Sequence, residues 1–207
     1  MRIRTLGFLG LGEAFLSAVV LGLLSLVPGA FPDPGMLALV WLVPIAFGLH
    51  VFEEFGFPGG FAEWSIHARP DSAKAMTPAH LFRVNVLGGA AAAGVALGAF
   101  DYRGGYGWFG IRAWLVLLGT LAVNAVSHLA GSVHARRYSP GVVSAGLLYV
   151  PLSVAGVVLL LRRGVVDLVS GATVLAVGVP AYLLLIRSLR RRAIRDLDEG
   201  SGDRALP

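Results

Sequence analysis

Apolar residues run through this chain in six stretches, at 6–27, 36–55, 79–100, 112–132, 140–161 and 165–187. Each is long enough to cross the ~30 Å hydrocarbon core of a bilayer, which takes roughly 20 residues as a helix. The pattern predicts an all-α, polytopic membrane helix bundle of about six transmembrane helices. One transmembrane domain would occupy 1–188, with a polar tail over 189–207. Composition agrees: 56% of residues are hydrophobic, 14% are charged and the mean hydropathy is +0.75, far above that of a soluble domain.

The first stretch follows Arg2 and Arg4 and is closed by Ala30, as a signal peptide would be. Its apolar run is longer than the usual core of about 7–15 residues and it contains Glu13, so it reads as a retained helix. Cysteine is absent, which excludes disulfides, thiolate metal ligands and cysteine nucleophiles.

Basic residues are retained on the cytoplasmic side of short loops. Arg2, Arg4, Arg69, Lys74, Arg136, Arg137 and the tail residues Arg187, Arg190, Arg191, Arg192, Arg195 and Arg204 fall on one side of the six-span topology. Only Arg103, Arg112, Arg162 and Arg163 fall on the other, so both termini are expected in the cytoplasm. The preference for arginine over lysine fits a GC-rich bacterial genome and makes a bacterial inner membrane the expected address. The net charge of +5 sits largely in RSLRRRAIR, directly after the last span. A juxtamembrane basic cluster fixes topology and attracts anionic lipid head groups, so membrane lipids are the expected partners and nucleic acid is not.

Against this background HVFEEF, at 50–55, stands out at the end of the second span. In the expected topology it lies in the cytoplasmic leaflet. Arg83 and Asn85 open the third span at the same depth, Asn124 and His128 close the fourth, and YSPG at 138–141 with Ser144 opens the fifth. At ~100° per residue His50 and Glu54 share a helix face with Glu53 adjacent, and Asn124 shares a face with His128. The topology rests on Lys and Arg alone, so this convergence of other polar residues is independent support for one site.

Such residues are costly in a membrane, roughly 2.5–3.5 kcal/mol each when central. Glu53 and Glu54 also repel one another at a helix C-terminus, where the macrodipole disfavours anions. A bound cation, a partner such as Arg83, or protonation of one carboxyl would offset this.

HVFEE has the form H-x-x-E-E, NAVSH at 124–128 has the form N-x-x-x-H, YSPG resembles a Y-x-P-G element, and FPGGFAEW at 57–64 resembles a segment following the first motif. Together these resemble the HXXEE family of bacterial integral membrane proteins over about 36–160. The resemblance implies a site at His50, Glu53, Glu54, Asn124, His128, Tyr138 and Pro140, with catalysis or metal binding suggested, and leaves the activity open.

A divalent metal is the leading expectation. His50, His128 and Glu54 would suit zinc with an open position, or a ferrous facial triad. Glu53 would then be free as general base, Asn124 would orient substrate, and Tyr138 completes the candidate catalytic set. HVFEE is not the reverse zinc motif H-x-x-E-H, so a second helix must supply the other histidine. The depth of the site suggests a lipid-like or isoprenoid substrate. Metal-free acid–base chemistry as in a cyclase or isomerase, an ion- or proton-coupled transporter, and a structural cluster of Glu53 with Arg83 are the alternatives. Nothing in the sequence bears on oligomeric state.

Other features read as architecture. Glu13 is a third carboxylate or a lone buried acid; His67 and His80 read as solvated, and His134 faces away from His128. LGGAAAAG at 87–94 gives the third span a smooth face that marks it as a central helix. Trp64, Tyr106, Trp108 and Trp114 read as interfacial anchors, and Pro44 and Pro151 as kinks.

Overall fold

The computed structural model describes residues 3–27, 33–68, 76–100 and 105–202. Arg2, Ala30, Arg69, Lys74, Arg103 and Arg204, which enter the readings above, lie outside them. Seven helices follow in order: α1 Ile3–Ser25, α2 Pro34–Phe55, α3 Phe61–Ala68, α4 Pro78–Gly98, α5 Trp108–Ala135, α6 Val142–Arg162 and α7 Leu168–Gly202. All but the short α3 are long and apolar enough to cross a membrane. Among the described residues there is no strand, only an isolated bridge between Phe100 and Tyr106. The fold is the expected helical bundle.

Local chemistry sets the helix starts. Asp33 accepts hydrogen bonds from the amides of Gly35 (3.0 Å) and Met36 (3.2 Å), and Pro34 follows it at the first helical position. Thr77 and Pro78 repeat the device for α4, with Thr77 Oγ1 accepting from the His80 amide. α6 is interrupted by a π turn over Ala145–Tyr149, in which the Val150 amide reaches the Ala145 carbonyl. Pro151 is the cause: it has no N–H to give the Leu147 carbonyl and its ring clashes with that group, so the turn widens.

The bundle is organised around α2, of whose apolar window 56% is buried, against 22% for α4. The third span is therefore not the central one. Close helix approach occurs instead between α1 and α2: a Cβ on Gly10 would lie 2.6 Å from the Gly48 carbonyl oxygen, and Gly7 meets the backbone of Gly56. In α4, Gly88 seats the ring of Phe47 and Gly89 seats the carboxylate of Glu13. Met36, Val40, Ile111, Trp114, Leu118 and Tyr149 fill the main core. Phe8, Phe15, Leu16, Val126, Leu147 and Val177 are exposed, the outward apolar surface that a lipid-facing bundle requires.

At the end opposite HVFEE, Asp33 is buried and ion-pairs with Arg163, while the Tyr106 hydroxyl donates to the same carboxylate at 3.3 Å. This corner joins the start of α2, the end of α6 and the connection between α4 and α5. Tyr106 is thus tied inward, Trp114 is fully buried and Trp64 lies under α5, so of the four expected anchors Trp108 alone is largely exposed. The Arg112 guanidinium stacks over its ring at 4.2 Å.

Asp33→Ala removes both the cap and the pair, and should lower stability by about 2 kcal/mol. Asp33→Asn keeps a capping oxygen and should cost less. Thermal unfolding in detergent followed by tryptophan fluorescence checks this, and equal losses in the two variants would refute the capping role.

Candidate metal centre

His50 and Glu54 lie one turn apart in the last turns of α2, and His128 faces them from α5. All three are buried, and one ligand atom from each lies within 4.8 Å of the others. Glu54 Oε1 is 3.3 Å from His128 Nε2 and 3.6 Å from His50 Nε2. Ligands around zinc at bond lengths of ~2.0–2.2 Å are separated by ~3.3–3.6 Å in a tetrahedron, which both Glu54–histidine distances match.

The other ring nitrogens are already engaged. His50 Nδ1 meets Ser144 Oγ at 2.9 Å, and His128 Nδ1 meets Ser139 Oγ at 3.1 Å. Ser144 Oγ also lies 3.2 Å from the Gly141 carbonyl; when its hydroxyl donates there, the His50 ring donates to Ser144. In that tautomer the proton is on Nδ1 and the lone pair on Nε2, the orientation typical of a metal-ligating histidine. His50 Nε2 is buried and has no hydrogen-bond partner. It faces the Glu54 carboxylate at 3.6 Å.

Both serines come from one segment, 139–144, and Glu53 holds that segment in place. Tyr138 donates its hydroxyl to Glu53 Oε1 at 2.6 Å, the Val143 amide donates to the same oxygen at 3.0 Å, and the Ser144 amide donates to Oε2 at 2.7 Å. The carboxylate therefore caps the N-terminus of α6, where an anion is favoured. Gly141 turns the chain with φ +97°, and a Cβ there would sit 2.7 Å from His50 Cε1 and 2.8 Å from His128 Cε1. Only glycine fits between the two rings.

Aromatic groups close the sides. The Tyr149 ring lies 4.6 Å from His50, and Phe61 of α3 lies 5.6 Å from His128. Trp64 packs on Gly131 of α5, which pins α3 beside the group. A cavity of about 380 Å³ opens next to His50 and Glu54, and Asn85, Asn124, His80 and Tyr182 also line it. Asn124 Oδ1 is buried there without a partner.

The residues singled out in the sequence are thus distributed as follows. His50, Glu54 and His128 come together; Glu53 and Tyr138 pair with one another on the α6 side; Asn124 faces the cavity one turn from His128. Pro140 is buried in the loop. Arg83 plays no part at Glu53, whose partners are Tyr138 and two amides. Glu13 sits against α4, and His67 and His134 are exposed, whereas His80 is half-buried on the cavity wall. The roles of Ser139, Gly141 and Ser144 were missed. Their nearness to the YSPG element was the available signal, but only the fold shows which histidine each serine meets.

Burial, and after it the Glu53 carboxylate, push the Tyr138 phenol above its ordinary value. A raised folded-state pKa means that this contribution is complete below the unfolded value near pH ~10 and is lost as pH rises through the folded one. Tyr138→Phe should cost on the order of 1 kcal/mol at neutral pH. The gap from wild type should narrow above pH ~10, as read by chemical denaturation across pH, because phenylalanine does not titrate. A gap that stays constant into alkali would contradict the clamp.

No curated protein matches the chain, and no solved structure does. A family model, described as a protein of unknown function with HXXEE motif, matches residues 41–155, over half of the 207-residue chain. That span contains His50, Glu53 and Glu54 in the signature order, His128, and the whole segment that orients the two histidines. The chain belongs to the HXXEE family.

Proposed function

We propose that the protein is an intramembrane enzyme in which His50, Glu54 and His128 hold a divalent metal, zinc or ferrous iron, and that its substrate is lipid-like or isoprenoid. The observation that carries this reading is the His50 Nε2 atom, buried without a hydrogen-bond partner and 3.6 Å from the Glu54 carboxylate. Two acceptors facing each other in a dry interior repel, and a cation between them turns repulsion into attraction. Two neutral histidines and one carboxylate are a donor set that zinc and ferrous iron both accept. When bound, the ion would supply Lewis acidity toward an oxygen of substrate or water.

The chain's own groups divide the remaining work. Asn124, with an unsatisfied acceptor in the cavity, holds and orients the substrate. Glu53 and Tyr138 are positioning residues, since both oxygens of Glu53 are occupied in fixing the segment that aligns the histidines. That geometry moves the general-base role away from Glu53. The site lies at the end of the bundle where the arginine-rich tail leaves, which supports a cytoplasmic-leaflet location with both termini inside, in a bacterial inner membrane.

A second reading has one observation in its favour: Glu54 and His128 lie 3.3 Å apart, close enough to share a proton. In that case the pair serves as acid and base without metal.

Elemental analysis of the purified protein separates the two. Wild type should carry close to one zinc or iron per chain, and His50→Ala, Glu54→Ala and His128→Ala should each lose it. Ser144→Ala, which only releases the His50 ring, should weaken metal affinity roughly 10–100-fold. Gly141→Ala should abolish binding through strain at positive φ and contact with both rings. A folded, metal-free wild type that stays so after reconstitution with zinc and with iron would end the metal reading in favour of the proton-sharing pair.

A further inference from the structure

The cavity beside the centre has a chemical character of its own. On α4 its lining runs from His80 to Ala92, a distance of ~18 Å along a helix, and its far portion is apolar, with Val43, Phe47 and Leu117. An extended chain fits such a shape. The end that carries the head group is bounded by His50, Glu54 and Asn124.

Glu54 and the histidines apart, the polar groups along it are neutral, and several donors are already spent. Asn85 Nδ2 donates to the Leu81 carbonyl at 2.8 Å, Thr120 donates to Leu117 at 2.7 Å, and Ser127 donates to Val123 at 2.9 Å. What Thr120 and Ser127 still offer the cavity is oxygen lone pairs, and Asn85 keeps its Oδ1 beside one N–H. Asn124 adds a buried Oδ1 with no partner. Among the described residues no lysine or arginine lines the cavity, and the one carboxylate is that of Glu54. Phosphate and carboxylate head groups are normally met by arginine or lysine. Here no cationic side chain among the described residues meets them; they would face a glutamate and several acceptors, with neutral donors such as the Tyr182 hydroxyl and a metal partly neutralised by that glutamate on the other side.

We infer that the cavity takes a long-chain amphiphile with an uncharged, hydrogen-bond-donating head group, a hydroxyl or an amide, and not a phosphate or diphosphate ester. This rests on the reading of the cavity as the substrate chamber of the proposed enzyme. The head group donates to Asn124 Oδ1 beside His50 and Glu54, and the chain lies along α4 toward Ala92.

The test uses full-length protein in phosphatidylcholine nanodiscs and two photoreactive probes of equal chain length, a diazirine-bearing hexadecanol and the corresponding hexadecyl phosphate. Labelled peptides are mapped by mass spectrometry. The alcohol should label the cavity-facing peptides of α4 and α5 and be displaced by unlabelled hexadecanol. Asn124→Leu should reduce that labelling roughly three- to tenfold, the worth of one hydrogen bond. Ala91→Phe, which fills the apolar portion without touching the centre, should reduce it while leaving metal content unchanged. Equal or stronger labelling by the phosphate would overturn the inference. So would alcohol labelling indifferent to both substitutions, which would mark simple partition onto the lipid-facing surface. Metal is measured on the same samples: selective labelling of a metal-free wild type supports the cavity assignment while ending the metal reading, and full metal without selective labelling does the reverse.

Discussion

The arrangement depends on one carboxylate, that of Glu53, buried between α2 and α6. At the C-terminus of its own helix it is disfavoured by the macrodipole, but it lies against the N-terminus of α6, where the same physics favours it. Three hydrogen bonds from Tyr138, Val143 and Ser144 complete its shell. Because those donors flank the 139–144 segment, fixing Glu53 also fixes the serines that orient His50 and His128. The histidine rings are held by a segment that a neighbouring glutamate holds.

The two adjacent acids therefore do different things for a geometric reason. Consecutive helical residues point ~100° apart, so Glu53 and Glu54 cannot serve the same partner. Glu53 turns to α6 and is satisfied by backbone and phenol. Glu54 turns to α5 and faces two imidazole nitrogens, one of which has no hydrogen-bond partner. The repulsion expected from two neighbouring carboxylates is answered separately at each one, by a helix end for the first and by a cation or a shared proton for the second.

Much of this was legible in the sequence. Six apolar runs gave the six spans to within a few residues, since hydrocarbon thickness leaves little freedom in helix length. The i, i+4 spacing of His50 and Glu54 put them on one face, and polar residues gathered at one depth pointed to α5 for the other histidine. What could not be read is which way neighbouring side chains turn. Glu53 looked as free for chemistry as Glu54, and Arg83 looked like its natural partner. The smooth face of LGGAAAAG suggested a central helix, but small residues admit either a backbone or a bulky side chain, and here they admit Phe47 and the Glu13 carboxylate. The pairing of buried Asp33 with the half-exposed Arg163 also went unread, because Asp33 in a D-P-G turn signals a cap and gives no hint of a partner 130 residues away.

The extent of the family match carries the last step. Residues 41–155 include the His–Glu group, Glu53, the orienting segment and α3, which stands against His128. They exclude α1, which packs through its glycines against α2, and α7, which supplies Tyr182 and Leu183 to the cavity wall. The matched region is thus sufficient to assemble the centre but not to enclose the chamber beside it. Metal-binding geometry is set by short contacts among α2, α5 and α6, which tolerate little change. The cavity is bounded partly by a helix that meets the bundle chiefly along α5, through Gly119 and Val116, and otherwise faces outward. A wall attached along a single seam can change its lining residues without disturbing the histidines, so the fold keeps its reactive centre separate from the surface that selects what reaches it.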